Sequence, residues 1–237
     1  MIIVTTLYNA ENYIERCLFS IKTQTFKNFK CYITDDLSTD NSVNLVKNFI
    51  KNDDRFILIK NTEKMYQPGN YDQVIRNNPN IDDNDVIVEI DGDDWLPDSE
   101  TLQRIDKVYS NQNVWIANGS FKYSNGSPGF SSKQEITDDL RKIRFTATHI
   151  RTWRAFLWRN IKIDDLKDDD GIYWKVTGDL SFMYPMLEMS GNEHYKFMSD
   201  INYVYNEENP INDHKVDLTL VNDIAVKIRN KKPYDKL

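Results

Sequence analysis

The chain has 237 residues, 40% hydrophobic and 28% charged, which suits one large α/β domain or one domain with a small appendage. Its net charge of −7 argues against a general nucleic-acid surface, because phosphate binding wants a basic face. An enzyme for nucleotides can still be acidic overall if a metal supplies the local positive charge.

Met1 to Thr6 reads as an apolar, β-branched strand ending in the polar loop Thr5 to Glu11. A strand at this position leads us to expect no signal peptide. Ile14, Cys17, Leu18 and Ile21 then recur at helical spacing. Phe29 to Thr34 is a second strand, followed by Asp35, Asp36, Leu37, Ser38, Thr39 and Asp40. Ser38 or Thr39 can cap the next helix, whose inner face is Val43, Val46, Phe49 and Ile50. Phe56 to Lys60 is a third strand, and Gly69 to Arg76 a helix after a Pro-Gly break with Asn70 and Asp72 near its start. Cys17 and Cys31 fall in apolar-patterned segments, as reduced core cysteines do.

Val86 to Ile90 is a β-branched run ending in Asp91, Gly92, Asp93 and Asp94. It reads as a central strand buried on both faces. Strands separated by helix-length segments predict a parallel sheet with right-handed crossovers. Ligands bind at the carboxyl edge of such sheets. Carboxylates this close repel one another unless a cation shares them, and hard oxygen ligands suit Mg²⁺ or Mn²⁺. Two readings stand: a divalent metal holding a nucleoside diphosphate, or a solvated acidic turn. Asp35 and Asp36 likewise either complement a helix dipole or accept hydrogen bonds from a ribose or base N–H, with Tyr8 stacking on the base. Neither a Gly-x-Gly-x-x-Gly nor a Walker-type Gly-Lys-Ser/Thr is present.

Thr6, Leu7, Tyr8, Asn9, Ala10 and Glu11 resemble the opening Thr-x-Tyr-Asn-x-Glu of the family 2 inverting glycosyltransferases, which have a GT-A fold. Asp35 to Asn41 resembles that family's Asp-Asp-Gly-Ser-Thr-Asp segment, with Leu37 in place of the usual Gly. Asp91, Gly92, Asp93 and Asp94 resemble its Asp-x-Asp metal motif. The three motifs follow in the family's order over residues 1 to about 100. The resemblance implies a single α/β domain of the GT-A type: a nucleotide-binding half (1–98), an acceptor-binding and catalytic half (99–215), and a C-terminal helix and tail (216–237). Thr6, Tyr8 and Glu11 would line the base and ribose pocket, with Asp36 recognising the base. Asp91 would lie near ribose and donor sugar, Asp93 would bear on the metal and diphosphate, and Asp94 would share the metal or bind donor-sugar hydroxyls. Asn70 and Asp72 would lie beside the diphosphate or donor sugar.

Thr101 to Tyr109 reads as a helix, and Val114 to Tyr123 as a strand leading to a turn at Asn125 and Gly126. His149 to Trp158 mixes basic and aromatic residues. It is either a helix packing its aromatics on the sheet or an acceptor platform for sugar rings and anionic groups. Asp168 to Asp170 belong to a solvated loop. Asp179 opens a helix carrying Phe182, Met183, Met186 and Leu187. By itself that is an N-cap position; by resemblance, despite Gly178 standing where the family usually has Glu, Asp179 is the catalytic base. Tyr203 to Asn206 is a strand leading to His214 and Lys215. His214 is either structural or, as the resemblance implies, a further metal ligand, and Lys215 is placed to neutralise phosphate. Leu218 to Ile228 is a short amphipathic helix before a charged tail.

The expectation is a soluble, cytoplasmic, Mn²⁺- or Mg²⁺-dependent inverting transferase. It would move a sugar from a nucleoside diphosphate donor, UDP foremost, to a glycan or other hydroxyl acceptor, with no transmembrane segment and no nucleic-acid partner. The alternatives are a non-catalytic nucleotide-sugar or glycan-binding module and a nucleotidyltransferase on a similar fold. The latter usually needs a Gly-rich, Lys/Arg-bearing loop after the first strand, which Thr5 to Glu11 does not provide.

Overall fold

The computed structural model describes residues 1–212, 215 and 217–237. Seven strands form one sheet in the order β3-β2-β1-β4-β6-β5-β7. They are β1 (Ile2–Leu7), β2 (Lys30–Asp35), β3 (Phe56–Lys60), β4 (Val86–Asp91), β5 (Ile116–Tyr123), β6 (Arg151–Arg154) and β7 (Tyr195–Tyr205). The first four pair in parallel, as their spacing predicts, while β6 runs antiparallel between β4 and β5.

Alternate residues of each strand serve opposite layers, as the pleat requires. Ile3, Leu7 and Val88 face a core built with α1 (Ile14–Lys22), α2 (Ser42–Ile50) and α4 (Thr101–Tyr109). Ile2, Val4, Ile87 and Trp153 face a second core with α3 (Tyr66–Ile75), α5 (Ala155–Arg159), α6 (Gly178–Ser190) and α7 (Leu218–Arg229). Cys17 and Cys31 are buried free thiols in the first layer. No helix among the described residues is long and apolar enough to cross a membrane.

Three expectations need correction. His149 to Trp158 is not one helix: Arg151–Arg154 is a strand, and only Ala155–Arg159 is helical. The physical reason is two-sided burial. Thr152 donates to the Ala117 carbonyl, while Trp153 packs edge-on to Tyr71 at 6.0 Å on the opposite face, a period-two pattern hidden by mixed composition. Second, α3 begins at Tyr66, before the Pro-Gly pair. Pro68 falls in the first turn, where its missing N–H costs nothing. Third, neither Ser38 nor Thr39 caps α2. Ser38 Oγ accepts from the Asn9 amide at 3.0 Å, and the Thr39 amide donates to Asn9 Oδ1 at 2.8 Å, so these residues tie two loops together.

Candidate active site

The chain leaves β1 outward to β2 and β3, then returns to β4 on the other side of β1. The reversal opens a crevice at the carboxyl ends of β1 and β4, the place where open α/β sheets bind ligands. Thr6 and Asp91 are paired there, and Thr6 Oγ1 donates to Asp91 Oδ1 at 2.9 Å. A cavity of about 830 Å³ occupies the crevice; Thr6, Tyr8, Asp36, Asn70, Asp91, Asp93, Asp94 and Asp179 all contribute to its wall. Residues far apart in sequence thus meet because parallel strands end together.

The turn after β4 is shaped by close backbone approach. A Cβ on Gly92 would stand 2.7 Å from the Thr6 carbonyl oxygen, which already accepts from the Gly92 amide at 2.9 Å. Glycine is therefore needed between the acids. Asp94 is buried; its Oδ1 accepts from the Asn206 amide at 2.6 Å, and its side chain meets the Tyr203 hydroxyl. Burial, then the charges of Asp93 and Asp91, hold the Asp94 carboxyl well above the usual range. Burial also raises Asp91. Asp93 Oδ2 accepts from Asn209 Nδ2 at 2.6 Å. Three carboxylates crowded on one cavity wall, with burial and mutual repulsion raising Asp94, fit a hard divalent cation. His214, expected to join them, lies outside the described residues.

One strand register inward lies a second charged group that the sequence reading missed. Glu89, fully buried on β4, accepts from Arg151 Nη1 at 2.6 Å across the β4–β6 pair. Gln67 of α3 also donates to it, at 3.2 Å. Arg151 Nη2 reaches the other way, to Asp179 Oδ2 at 2.5 Å. One buried guanidinium thereby bridges the sheet interior and the first turn of α6. Burial pushes the Glu89 carboxyl up to about 8, with Arg151 opposing and Asp91 adding to the rise. Ligand atoms of Glu89, Asp91 and His149 lie within 4.8 Å of one another. Arg151 already supplies that cluster's positive charge, so the cation fits better among Asp91, Asp93 and Asp94. Gly178, where a Glu was expected, packs on α3: a Cβ there would meet Pro68 Cδ at 2.7 Å.

Other expected residues differ in what they face. Asp36 is buried and accepts from Asn61 Nδ2 and from the Met65 and Tyr66 amides at 2.7–3.0 Å. Lys64 pairs with it at 3.5 Å and lies over the Tyr8 ring at 3.0 Å, covering one face of that ring. Asn70 borders the cavity while its amide is tied to Tyr66, Asn61 and Gln73. Glu11 and Asp72 are not part of the cavity wall. Glu11 Oε2 accepts from the Asn41 amide at 2.8 Å, clasping the two N-terminal loops. Asp72 accepts from Arg76, Trp158 and Tyr173, which commits its carboxylate to packing. Lys215 pairs with Glu207.

The missed residues left traces. Glu89 interrupts an otherwise apolar strand, and a buried carboxylate demands a partner. Asn206, Asn209 and Asn212 recur every third residue after β7; the Asn209 side chain reaches Asp93, and Asn212 braces the Asn206 carbonyl.

A family model described as Glycosyl transferase family 2 matches residues 2–166. The chain is 30% identical over 169 residues to a poly(ribitol-phosphate) beta-glucosyltransferase of Bacillus spizizenii, covering 68% of this chain and 26% of that protein. It is 29% identical over 137 residues to the glycosyltransferase GlyA of Streptococcus pneumoniae serotype 4, covering 54% of this chain and 17% of that protein. This chain therefore spans about a quarter or less of these relatives. Among solved structures, S. aureus TarS residues 1–349 in complex with UDP-GlcNAc superposes with a TM-score of 0.65 at 18% identity, covering 88% of this chain and 58% of that one. The mannosyltransferase PcManGT of Pyrobaculum calidifontis, in complex with GDP-Man and Mn²⁺, gives 0.62 at 15% identity, covering 98% and 65%.

Proposed function

We propose, because the chain belongs to glycosyl transferase family 2 and has the GT-A fold, that it transfers a sugar from a nucleoside diphosphate donor to a hydroxyl acceptor with inversion. The observation that carries this reading is the convergence of Asp36, Asp91, Asp93, Asp94 and Asp179 on one cavity at the sheet's switch point. UDP is the proposed nucleotide, in keeping with the UDP-GlcNAc complex of a structural neighbour. In this reading Thr6, Tyr8 and Asp36 receive the base and ribose, Asn70 lies toward the diphosphate, and Lys64 offers it a positive charge. Asp91, Asp93 and Asp94 would hold Mn²⁺ or Mg²⁺, which when bound offsets the charge of the departing diphosphate.

Asp179 is the proposed base. Arg151 grips Oδ2, and Oδ1 is the oxygen offered to the acceptor hydroxyl. As the acceptor oxygen attacks the anomeric carbon, its proton passes to Asp179, the bond from that carbon to the diphosphate oxygen breaks, and the configuration inverts. The 1–237 span is read as one such domain, and its acceptor as a glycan or other hydroxyl compound; the name of one relative pairs beta-glucosyl transfer with poly(ribitol-phosphate).

Thermal unfolding with nucleotide sugars, with and without Mn²⁺, tests the donor half: a UDP compound raises the midpoint only when metal is present. Asp179→Asn keeps that shift yet loses turnover by roughly 10²- to 10⁴-fold. Indifference to every nucleotide sugar in the presence of metal defeats the donor assignment, and unchanged turnover in Asp179→Asn defeats the base assignment.

A further inference from the structure

Beyond residue 166, where the family match stops, come α6 with Asp179 in its first turn, β7, and then α7 and the segment through Leu237. Of the twelve residues of α7 only Ile224 and Ile228 are buried, while Leu218, Leu220 and Val226 stand exposed. Two apolar side chains are a slight anchor for a helix that has no stability of its own at this length. Polar contacts seat it instead, and they gather at its carboxyl end.

Arg141 is the centre of that seat. Buried at 7% exposure, it forks onto Glu188 of α6 at 2.6 and 2.7 Å. Its Nη1 also donates to the Ile228 and Lys231 carbonyls at 3.0 and 3.2 Å, where the orphan carbonyls and negative end of α7 favour a cation. Arg229 answers in reverse, donating to the Arg141 and Ile143 carbonyls at 2.6 and 3.0 Å. Glu188 accepts further from the Tyr234 amide at 3.0 Å, and the Leu237 amide donates to the Met189 carbonyl at 3.1 Å. A buried ion pair is a weak source of net stability; what this one supplies is a defined place for α7 against α6.

The opposite end of α7 forms part of the acid-lined cavity. Asp217 caps the helix, accepting from the Leu220 amide at 2.9 Å, and lines the cavity together with Leu220 and Val221. Thr177, Gly178 and Asp179 line it too. One hydrogen bond joins the two stretches: Thr177 Oγ1 donates to the Val221 carbonyl at 3.3 Å. Thr177 holds the N-cap position of α6 with φ of +56°, a left-handed conformation foreign to a β-branched residue. Such a backbone persists only where its surroundings impose it. Here α7 bears on one side, and Pro68, 2.7 Å from where a Gly178 Cβ would stand, on the other.

We infer that α7 and the segment after it are a strap that positions Asp179. Arg141 and Glu188 seat the helix, and Thr177 passes that seat to the first turn of α6. Asp179 is thereby fixed through its backbone as well as through the Arg151 guanidinium. Thr177 and Arg141 are positioning residues, acting through Asp179. The kinetic consequence rests on the glycosyl-transfer reading; the ordering of α6 by α7 does not.

The test compares Thr177→Ser with Thr177→Ala, which differ by the hydroxyl alone, and adds Arg141→Lys, which keeps the charge without the fork. Hydrogen exchange on the full chain follows α6, α7 and β1 to β4, and UDP release from UDP-glucose and UDP-N-acetylglucosamine with Mn²⁺ gives kcat and KM. In Thr177→Ala the first turn of α6 exchanges faster and kcat falls roughly three- to tenfold, with KM and the protection of β1 to β4 retained. Thr177→Ser keeps the unmodified values. Arg141→Lys speeds exchange in α7 and in the first turn of α6 together. Equal behaviour of the serine and alanine variants, a loss confined to KM, faster exchange throughout the sheet in Thr177→Ala, or an α6 indifferent to Arg141→Lys overturns the inference. Should the unmodified chain neither gain thermal stability from UDP with Mn²⁺ nor release UDP, the glycosyl-transfer reading fails, and the exchange measurements alone decide whether α7 orders α6.

Discussion

Replacing Arg151 with Met removes the positive charge on which the interior of this site depends. Its side chain is 4% exposed, Glu89 is fully buried, and Asp179 is 22% exposed. Met keeps much of the volume, so the loss is mainly electrostatic. Removing one partner of a buried pair costs about 3–5 kcal/mol, because the remaining charge is stranded. For a chain of this size each kcal/mol shifts the midpoint by about 2–4 °C, so a fall of roughly 6–20 °C is expected. Glu89, already pushed up to about 8, escapes part of the penalty by taking a proton. The deficit is therefore smaller at pH 6 than at pH 9. Glu89→Gln placed on Arg151→Met removes the stranded carboxylate and recovers part of the loss, the coupling being about 0.5–3 kcal/mol. Urea unfolding of the four proteins at both pH values measures each quantity. A loss below about 1 kcal/mol at pH 9, or a double variant no more stable there than Arg151→Met, would refute the reasoning.

Glu89 also sets a pH trend in the unmodified protein. Its folded value lies above the ordinary 4.5, so between 4.5 and about 8 the folded state binds more protons than the unfolded one. Its contribution is then present at the acid end and lost as pH rises, at up to about 1.4 kcal/mol per unit. Glu89→Gln flattens that part of the stability profile in urea titrations from pH 5 to pH 8; an unchanged slope contradicts the assignment. Leu37, with φ of +66°, is held in the left-handed region, which costs an L-residue about 1–2 kcal/mol against the 0.5–1 kcal/mol of entropy that glycine brings. Leu37→Gly should raise stability by about 0.5 kcal/mol, read as a small rise in thermal midpoint; a fall shows that the half-exposed leucine contributes packing that outweighs the strain.

The first half of the chain was legible because its signals are local. β1 to β4 are short apolar runs ending in acids and spaced by amphipathic helices. Parallel pairing then brings Asp36 and Asp91 to the same edge with no further information. The second half depends on contacts that no local period encodes. Arg151 lies 62 residues from Glu89 and 28 from Asp179, and its four-residue strand is too brief to override a helix-like composition. Nor could spacing separate Asn70, at the cavity, from Asp72, two residues along the same helix and turned toward Arg76, Trp158 and Tyr173.

Those non-local contacts change how the acids should be understood. A cluster of carboxylates read from sequence asks for a cation to hold it together, and a metal is the natural answer. In the folded chain much of that work is done by protein: the Asn206 amide on Asp94, Asn209 on Asp93, Thr6 on Asp91, and the Arg151 guanidinium between Glu89 and Asp179. The acids nearest the sheet are neutralised from within, whereas burial and the neighbouring charges of Asp93 and Asp91 hold the Asp94 carboxyl at the cavity wall well above its usual range. The fold therefore positions the cluster before any cation arrives, and concentrates the unmet demand for positive charge where the diphosphate of a donor would lie.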